Sequence, residues 1–203
     1  MVDDLTDASG EGERGGLRER RRKQTQQRIA ETGLKLFIEN GYEATTLDAI
    51  AEAAGISRRT IFHYFKSKDE ILLVWQNGIP EMIRAAVLQE STDHAPVDAV
   101  LHALLKLSSR YKPEQTIVID RLMRSTEQLQ TAKHSKYLQE EQALFEALCE
   151  LWPQPERRQR LRVVAMACVG SLRLAIDSWT QSGCEQPIEK HLRDAFADLR
   201  AEI

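Results

Sequence analysis

The sequence predicts an all-α protein: a three-helix helix-turn-helix head followed by a larger helical body, about nine helices in total. Three observations carry this. From residue 18 onward the long segments place apolar residues at i, i+3, i+4 and i+7, the spacing of one helix face. No run of four to eight residues alternates apolar and polar between turn signals, as a half-buried strand would. The strongest breaks, Gly41, Gly55, Pro96, Pro113 and Pro153, fall between periodic segments.

The first helix is expected over 20–40, with Ile29, Gly33, Leu36 and Phe37 on one face and Gly41 as the left-handed residue that ends it. Residues 1–17, polar, acidic and Gly-rich, are expected to be a disordered tail. Thr45 and Thr46 then offer hydroxyls to the free amides of a second helix, and Asp48 adds a favourable charge in its first turn. Leu47, Ile50, Ala51 and Ala54 form the inner face of that helix. Gly55 closes it, Ile56 can fill the angle that follows, and Ser57 can cap a third helix over 58–65. Helix, tight glycine turn and helix make a DNA-reading unit. A fourth helix carrying Ile71, Leu72 and Trp75 is expected over 68–87, and further helices over 97–110, 115–125, 131–151, 155–182 and 187–202. The domains are thus a head over 18–66 and a body over 67–203.

At 203 residues, 42% hydrophobic and 29% charged, the chain has the balance of a folded domain and not of a disordered or fibrous one. No stretch reaches the roughly 18 consecutive apolar residues of a membrane span, and residues 1–16 lack an apolar signal core, so the expected address is the cytoplasm, with no membrane partner. Cys149, Cys168 and Cys184 are too few and too scattered for a disulfide framework, and are expected to be reduced, Cys168 in the core. His63, His94, His102, His134 and His191 share no metal spacing, and there is no HExxH, GxSxG or Walker loop. No catalytic residue, metal or cofactor is therefore expected. The net charge of -3 is unevenly spread: residues 14–68 hold 12 Lys and Arg against 6 Asp and Glu, and the remainder 16 against 25. A basic module beside an acidic body suits a chain that presents one face to a polyanion, though a solvated charged face has the same composition.

The stretch 28–72, RIAETGLKLFIENGYEATTLDAIAEAAGISRRTIFHYFKSKDEIL, resembles the N-terminal DNA-binding domain of the TetR family. Phe37, Gly41-Tyr42, Thr45-Thr46, Ile50-Ala51, Ala54-Gly55-Ile56-Ser57, Thr60, Phe62, Tyr64-Phe65, Lys68 and Leu72 carry the likeness. It implies double-stranded operator DNA as partner. Arg58 and Arg59 would face base edges, where arginine grips guanine through O6 and N7, and Phe62 a thymine methyl. Arg59 stands where the family often has a small residue, so it could instead hold a phosphate. Thr45, Thr46, Thr60, His63, Tyr64 and Lys68 match positions that meet the phosphate backbone, which sets register without reading sequence. The basic run Arg18, Arg20, Arg21, Arg22 and Lys23 could add phosphate or minor-groove contacts, or be a solvated terminus.

The resemblance further implies a body that binds a small effector and forms a homodimer through its last two helices. Residues 121–130, RLMRSTEQLQ, and the later LRLAIDSW are similar to the branch of the family with acyl-CoA-like ligands. Val164, Cys168, Ser171, Leu172, Ala175, Leu192, Phe196 and Leu199 would supply the dimer seam or the chain's own core. Ligand contacts are expected from Trp75, Tyr111, Arg121, Met123, Arg124 and Trp179, with Met82, Leu101, Leu105, Ile119 and Leu144 as further cavity candidates. Arg173 and Asp177, at i and i+4, read as a helix-surface ion pair. The implied function is a repressor released from a near-palindromic operator by its effector. A cysteine-based redox regulator and a ligand-free architectural DNA-binding protein are the alternatives.

Overall fold

The computed structural model describes the backbone of residues 8–202 apart from Asn77 and Tyr111, and side chains from Glu19 onward apart from those of Trp75, Gln76, Arg110 and Gln128 as well. Among the described residues it contains ten α-helices, two single 3-10 turns and no strand. The chain divides into two compact units between Trp75 and Gln76.

The first unit contains α1 (Ala8–Asn40), α2 (Leu47–Ala53), α3 (Arg58–Tyr64) and α4 (Lys68–Gln76), the last of which ends at the division. Gly41, at φ +84, stops α1 as expected. The helix starts earlier than the expected residue 20. Despite four glycines, no proline interrupts its first turns. The expected tail shortens accordingly: 8–17 continue the helix, and 1–7 lie outside the described residues. Thr46 caps α2 by accepting from the Ala49 amide at 3.1 Å, and Ser57 caps α3 by accepting from the Thr60 amide at 3.1 Å. Gly55, at φ +66, makes the turn between them. The core is Ile29, Ala30, Leu34, Phe37, Ile50, Ala51, Ile61, Phe65, Ile71 and Leu72, all buried, whereas Ile56 is only half-buried.

The second unit contains α5 (Ile79–Val87), α6 (Pro96–Leu107), α7 (Pro113–Met123), α8 (Glu127–Leu151), α9 (Arg158–Gln181) and α10 (Ile188–Glu202). The single fourth helix expected over 68–87 is instead two, α4 and α5. Pro80 has no N–H, and its ring would clash with the carbonyl four residues back, so it fits only a first turn, where α5 places it. The main packing pairs are α9 with α10, α5 with α8 and α8 with α9. One apolar core runs through them, from Ile83 and Val87 through Leu104, Leu148 and Leu172 to Phe196. Gly183 and Cys184, both at positive φ, end α9, and the Trp179 indole donates to the Gln186 carbonyl at 2.7 Å, tying that turn down.

This packing places most of the residues expected in either the seam or the chain's own core in the core. Cys168, Ser171, Leu172, Ala175, Leu192 and Phe196 are buried within the chain itself. The exposed apolar face of α9 lies on the opposite side of the helix: Val163, Met166 and Leu174 are 58%, 54% and 63% exposed. No atom lies within 4 Å of where a side chain on Gly170 would begin, in the middle of that face.

Candidate nucleic-acid interface and effector site

In the first unit, Ser57 and Gly55 set the start of α3 so that Arg58, Arg59, Phe62 and His63 are exposed on its outer side. The Arg58 guanidinium is 3.2 Å from an Asp48 carboxylate oxygen at the start of α2, and 5.6 Å from the centre of the Phe62 ring. Both contacts are exposed and therefore weak, so Arg58 is biased in direction but remains free to exchange Asp48 for another partner. Arg59 makes no ion pair among the described residues. Phe62, 47% exposed, presents an apolar surface beside the two arginines. Thr60 shares a 2.8 Å hydrogen bond with the Ser57 hydroxyl, and His63 stands edge-on to the half-buried Tyr64 at 5.4 Å.

Two expected phosphate contacts have other work. Thr45 is buried, and its hydroxyl donates to the carbonyls of Gly41 at 2.8 Å and Leu36 at 3.2 Å, so it closes the end of α1 and is withdrawn from the phosphate set. Lys68 donates to the Tyr42 carbonyl at 2.6 Å and lies 4.3 Å from the centre of the Tyr42 ring. The Tyr42 hydroxyl in turn donates to Asp69; burial and that carboxylate both keep the phenol protonated. At the start of α4, the Glu70 carboxylate accepts from the Lys66 amide at 2.7 Å and the Ser67 hydroxyl from the Glu70 amide at 3.3 Å. An acid of the chain therefore already occupies the helix end at which a phosphate was expected. Thr46, by contrast, is exposed.

In the second unit, α7, α8 and α9 enclose a depression of about 320 Å³ lined by Met123, Arg124, Lys133, Tyr137, Arg173 and Asp177, with Gln130 and His134 at its α8 side. Lys133 bridges Asp120 at 2.8 Å and Asp177 at 3.5 Å, and Arg124 bridges the same two at 2.8 Å each. Burial alone would raise the Asp120 carboxyl, but the hydrogen bonds and charges of Arg124 and Lys133 outweigh it and hold Asp120 below its ordinary range. The expected Arg173–Asp177 pair is not formed, because α7 and α8 bring Asp177 other partners. Of the expected ligand contacts, Met123 and Arg124 reach the depression. Arg121 is exposed outside its lining, and Trp179 is buried with its indole committed to Gln186. Tyr111 lies outside the described residues, and of Trp75 only the backbone is described. Leu101, Ile119 and Leu144 are core residues.

Residues 29–74 match the family model for bacterial regulatory proteins of the tetR family. That segment belongs to the TetR family. Its curated relatives include the HTH-type transcriptional regulator TcmR of Streptomyces glaucescens, 32% identical over 105 residues that cover 52% of this chain and 46% of TcmR. Another is the HTH-type transcriptional regulator AcrR of Shigella flexneri, 36% identical over 55 residues, 27% of this chain and 26% of AcrR. The chain thus spans less than half the length of these relatives. Among solved structures it is similar to the TetR-family repressor FadR of Thermus thermophilus, in complex with lauroyl-CoA, at a TM-score of 0.61 and 19% identity. That likeness covers 86% of this chain and 92% of FadR. FadR of Bacillus subtilis, in complex with stearoyl-CoA, gives 0.59 and 18%, covering 87% and 98%. At these identities the structures show a shared fold.

The TetR-family motif thus pointed to Arg58, Arg59 and Phe62, which the fold does present together on α3. It did not point to Asp48 as the partner of Arg58, nor to Lys133 and Tyr137, whose i, i+4 spacing on α8 was the available sign. Among the described residues no helix is long and apolar enough to cross a membrane.

Proposed function

We propose that the chain is a dimeric transcriptional repressor that binds a near-palindromic DNA operator through α3 and releases it when a small effector occupies the second unit. The observation that carries the reading is the outer face of α3: two arginines and an exposed phenylalanine, set behind a tight glycine turn in the segment that matches the family. Arg58 and Arg59 can each span guanine O6 and N7, Phe62 suits a thymine methyl, and Thr46, Thr60, His63 and Tyr64 are the candidate phosphate contacts beside them. Lys68 serves chiefly to hold Tyr42, so its phosphate role is secondary. The dimer forms through α9 and α10, with Val163, Met166, Gly170 and Leu174 as the seam. Exposed apolar surface of this kind, continuous at helical spacing, marks an interaction face.

The effector reading is favoured over a redox switch by the cysteines. Burial pushes the Cys168 thiol up to about 12 and also raises Cys184, and a thiol that stays protonated is a poor nucleophile. Acyl-CoA esters, carried by the FadR structures, are one effector class to screen.

Selection from a randomised operator library tests the DNA reading. Two half-sites roughly 34 to 36 Å apart should be enriched, and Arg58→Ala should lose preference at one base of each, by about 1 to 3 kcal/mol. No enrichment at all, or an unchanged preference in Arg58→Ala, would overturn it. Effector control is tested by calorimetry with and without operator, because a ligand that weakens DNA binding must be weakened by DNA by the same factor. Equal ligand affinities in the two titrations would refute it.

A further inference from the structure

Along α8 the face turned into the second unit changes character. Its C-terminal half presents Leu144, Ala147 and Leu148, all buried. Its N-terminal half presents Lys133, Lys136, Tyr137 and Glu140 at the same helical spacing, with the side chains of Lys133, Lys136 and Glu140 only 17%, 18% and 2% exposed. Asp120 from α7 and Asp177 from α9 come to meet them. Removing such ions from water costs several kcal/mol each, and apolar side chains of similar volume would stabilise the fold as well or better. Folding stability therefore does not account for this polar region.

The charges also do not balance. Lys136 and Glu140 pair with each other at 3.4 Å. Around the depression itself, Arg124, Lys133 and Arg173 face two carboxylates, Asp120 and Asp177, and both carboxylates are taken by Arg124 and Lys133. Arg173 has no ion pair among the described residues; its guanidinium lies 5.8 Å from the centre of the Tyr137 ring. The site is thus short of one negative charge, next to an aromatic face. Its volume, about 320 Å³, is at the small end of ligand sites, and six of its eight lining residues are polar or charged, which gives a long acyl chain no apolar wall.

We infer that the depression between α7, α8 and α9 binds a small aromatic carboxylate, its carboxylate on Arg173, its ring along Tyr137 and Met123, and polar ring substituents toward Gln130 and His134. The inference rests on the reading of the second unit as an effector domain and names the chemistry of the effector.

Calorimetric titration of the full-length protein with 4-hydroxybenzoate, its neutral analogue 4-hydroxybenzamide and lauroyl-CoA tests it. The acid should bind about tenfold or more tightly than the amide, the scale of one charge-assisted pair. Arg173→Gln should erase that difference, and Arg173→Lys, which keeps the charge, should retain part of it. Neither should shift the melting temperature of the unliganded protein, since Arg173 is exposed and unpaired by acids. Equal binding of acid and amide, no heat from either at millimolar concentration, or discrimination that survives Arg173→Gln overturns the site. Lauroyl-CoA that releases operator equally from the wild type and Arg173→Gln, with no binding of the acid, sinks this site and leaves the effector reading standing. Binding of the acid through Arg173 with no change in operator affinity does the reverse.

Discussion

Asp120 lies on α7 between Arg124 and Lys133, and its behaviour with pH follows from that position. Because its carboxyl titrates below the ordinary 3.8 in the folded chain, the unfolded chain holds more protons as the solution is acidified. The stabilisation is therefore present in full above 3.8 and is lost as pH falls through the lower, folded value. Asp120→Asn should melt at a lower temperature than the wild type at pH 7, and the two should converge in acid below about 3.8. A gap that stays constant from pH 7 to 3 would show that the pairing with Arg124 and Lys133 contributes nothing. At this scale the sequence revealed residue types more readily than partners. Arg58 and Arg59 were singled out by the resemblance to the TetR family, and the structure leaves both exposed on α3. The partners of Thr45 and Lys68 were not legible, because a hydroxyl or ammonium can serve a phosphate or a carbonyl, and only the fold brings Leu36, Gly41 and Tyr42 within reach.

Among the elements of the first unit, α1, α2 and α4 meet at Gly33. A methyl group there would lie 2.7 Å from Cγ2 of Ile71 and 3.3 Å from Cδ1 of Ile50. Both isoleucines are fully buried, so neither can swing aside without displacing its own neighbours. Gly33→Ala sets overpacking of about 1 to 3 kcal/mol against a gain of roughly 1 kcal/mol in helix propensity. The net result should be a lower midpoint of urea unfolding with an unchanged slope, and a midpoint at or above that of the wild type would show that the helices can separate freely. Gly33 was legible as a member of the inner face of α1, and α2 and α3 were legible from Gly41, Gly55 and Ser57. The division of 68–87 into α4 and α5 was obscured because the apolar spacing continues through Ile79, Ile83 and Val87, and period alone does not register a backbone break. Pro80 was the signal, through its missing N–H.

For the whole molecule, the all-α fold was readable because helical periodicity persists from end to end, but the seam was not. Along α9, Leu161, Val164, Ala165, Cys168, Val169, Leu172 and Ala175 lie on or beside the buried side, while Val163, Met166 and Leu174 occupy the opposite one. With apolar residues on both sides, the sequence pattern does not say which stripe meets the chain's own core. The two assignments separate cleanly by mutation. Leu174→Glu places a charge on a side chain that is 63% exposed in the single chain, so the fold should survive, yet in a dimer closed over that face the charge would be buried without a partner at a cost of several kcal/mol. Sedimentation at micromolar concentration should find a folded, helical monomer. Operator affinity should fall with it, since one reading head spans a single half-site. Leu172→Glu, two residues away but 3% exposed, should instead unfold the second unit, visible as lost helical signal at 25 °C. If Leu174→Glu remained a dimer while Leu172→Glu stayed folded and became monomeric, the seam would lie on the other stripe of α9.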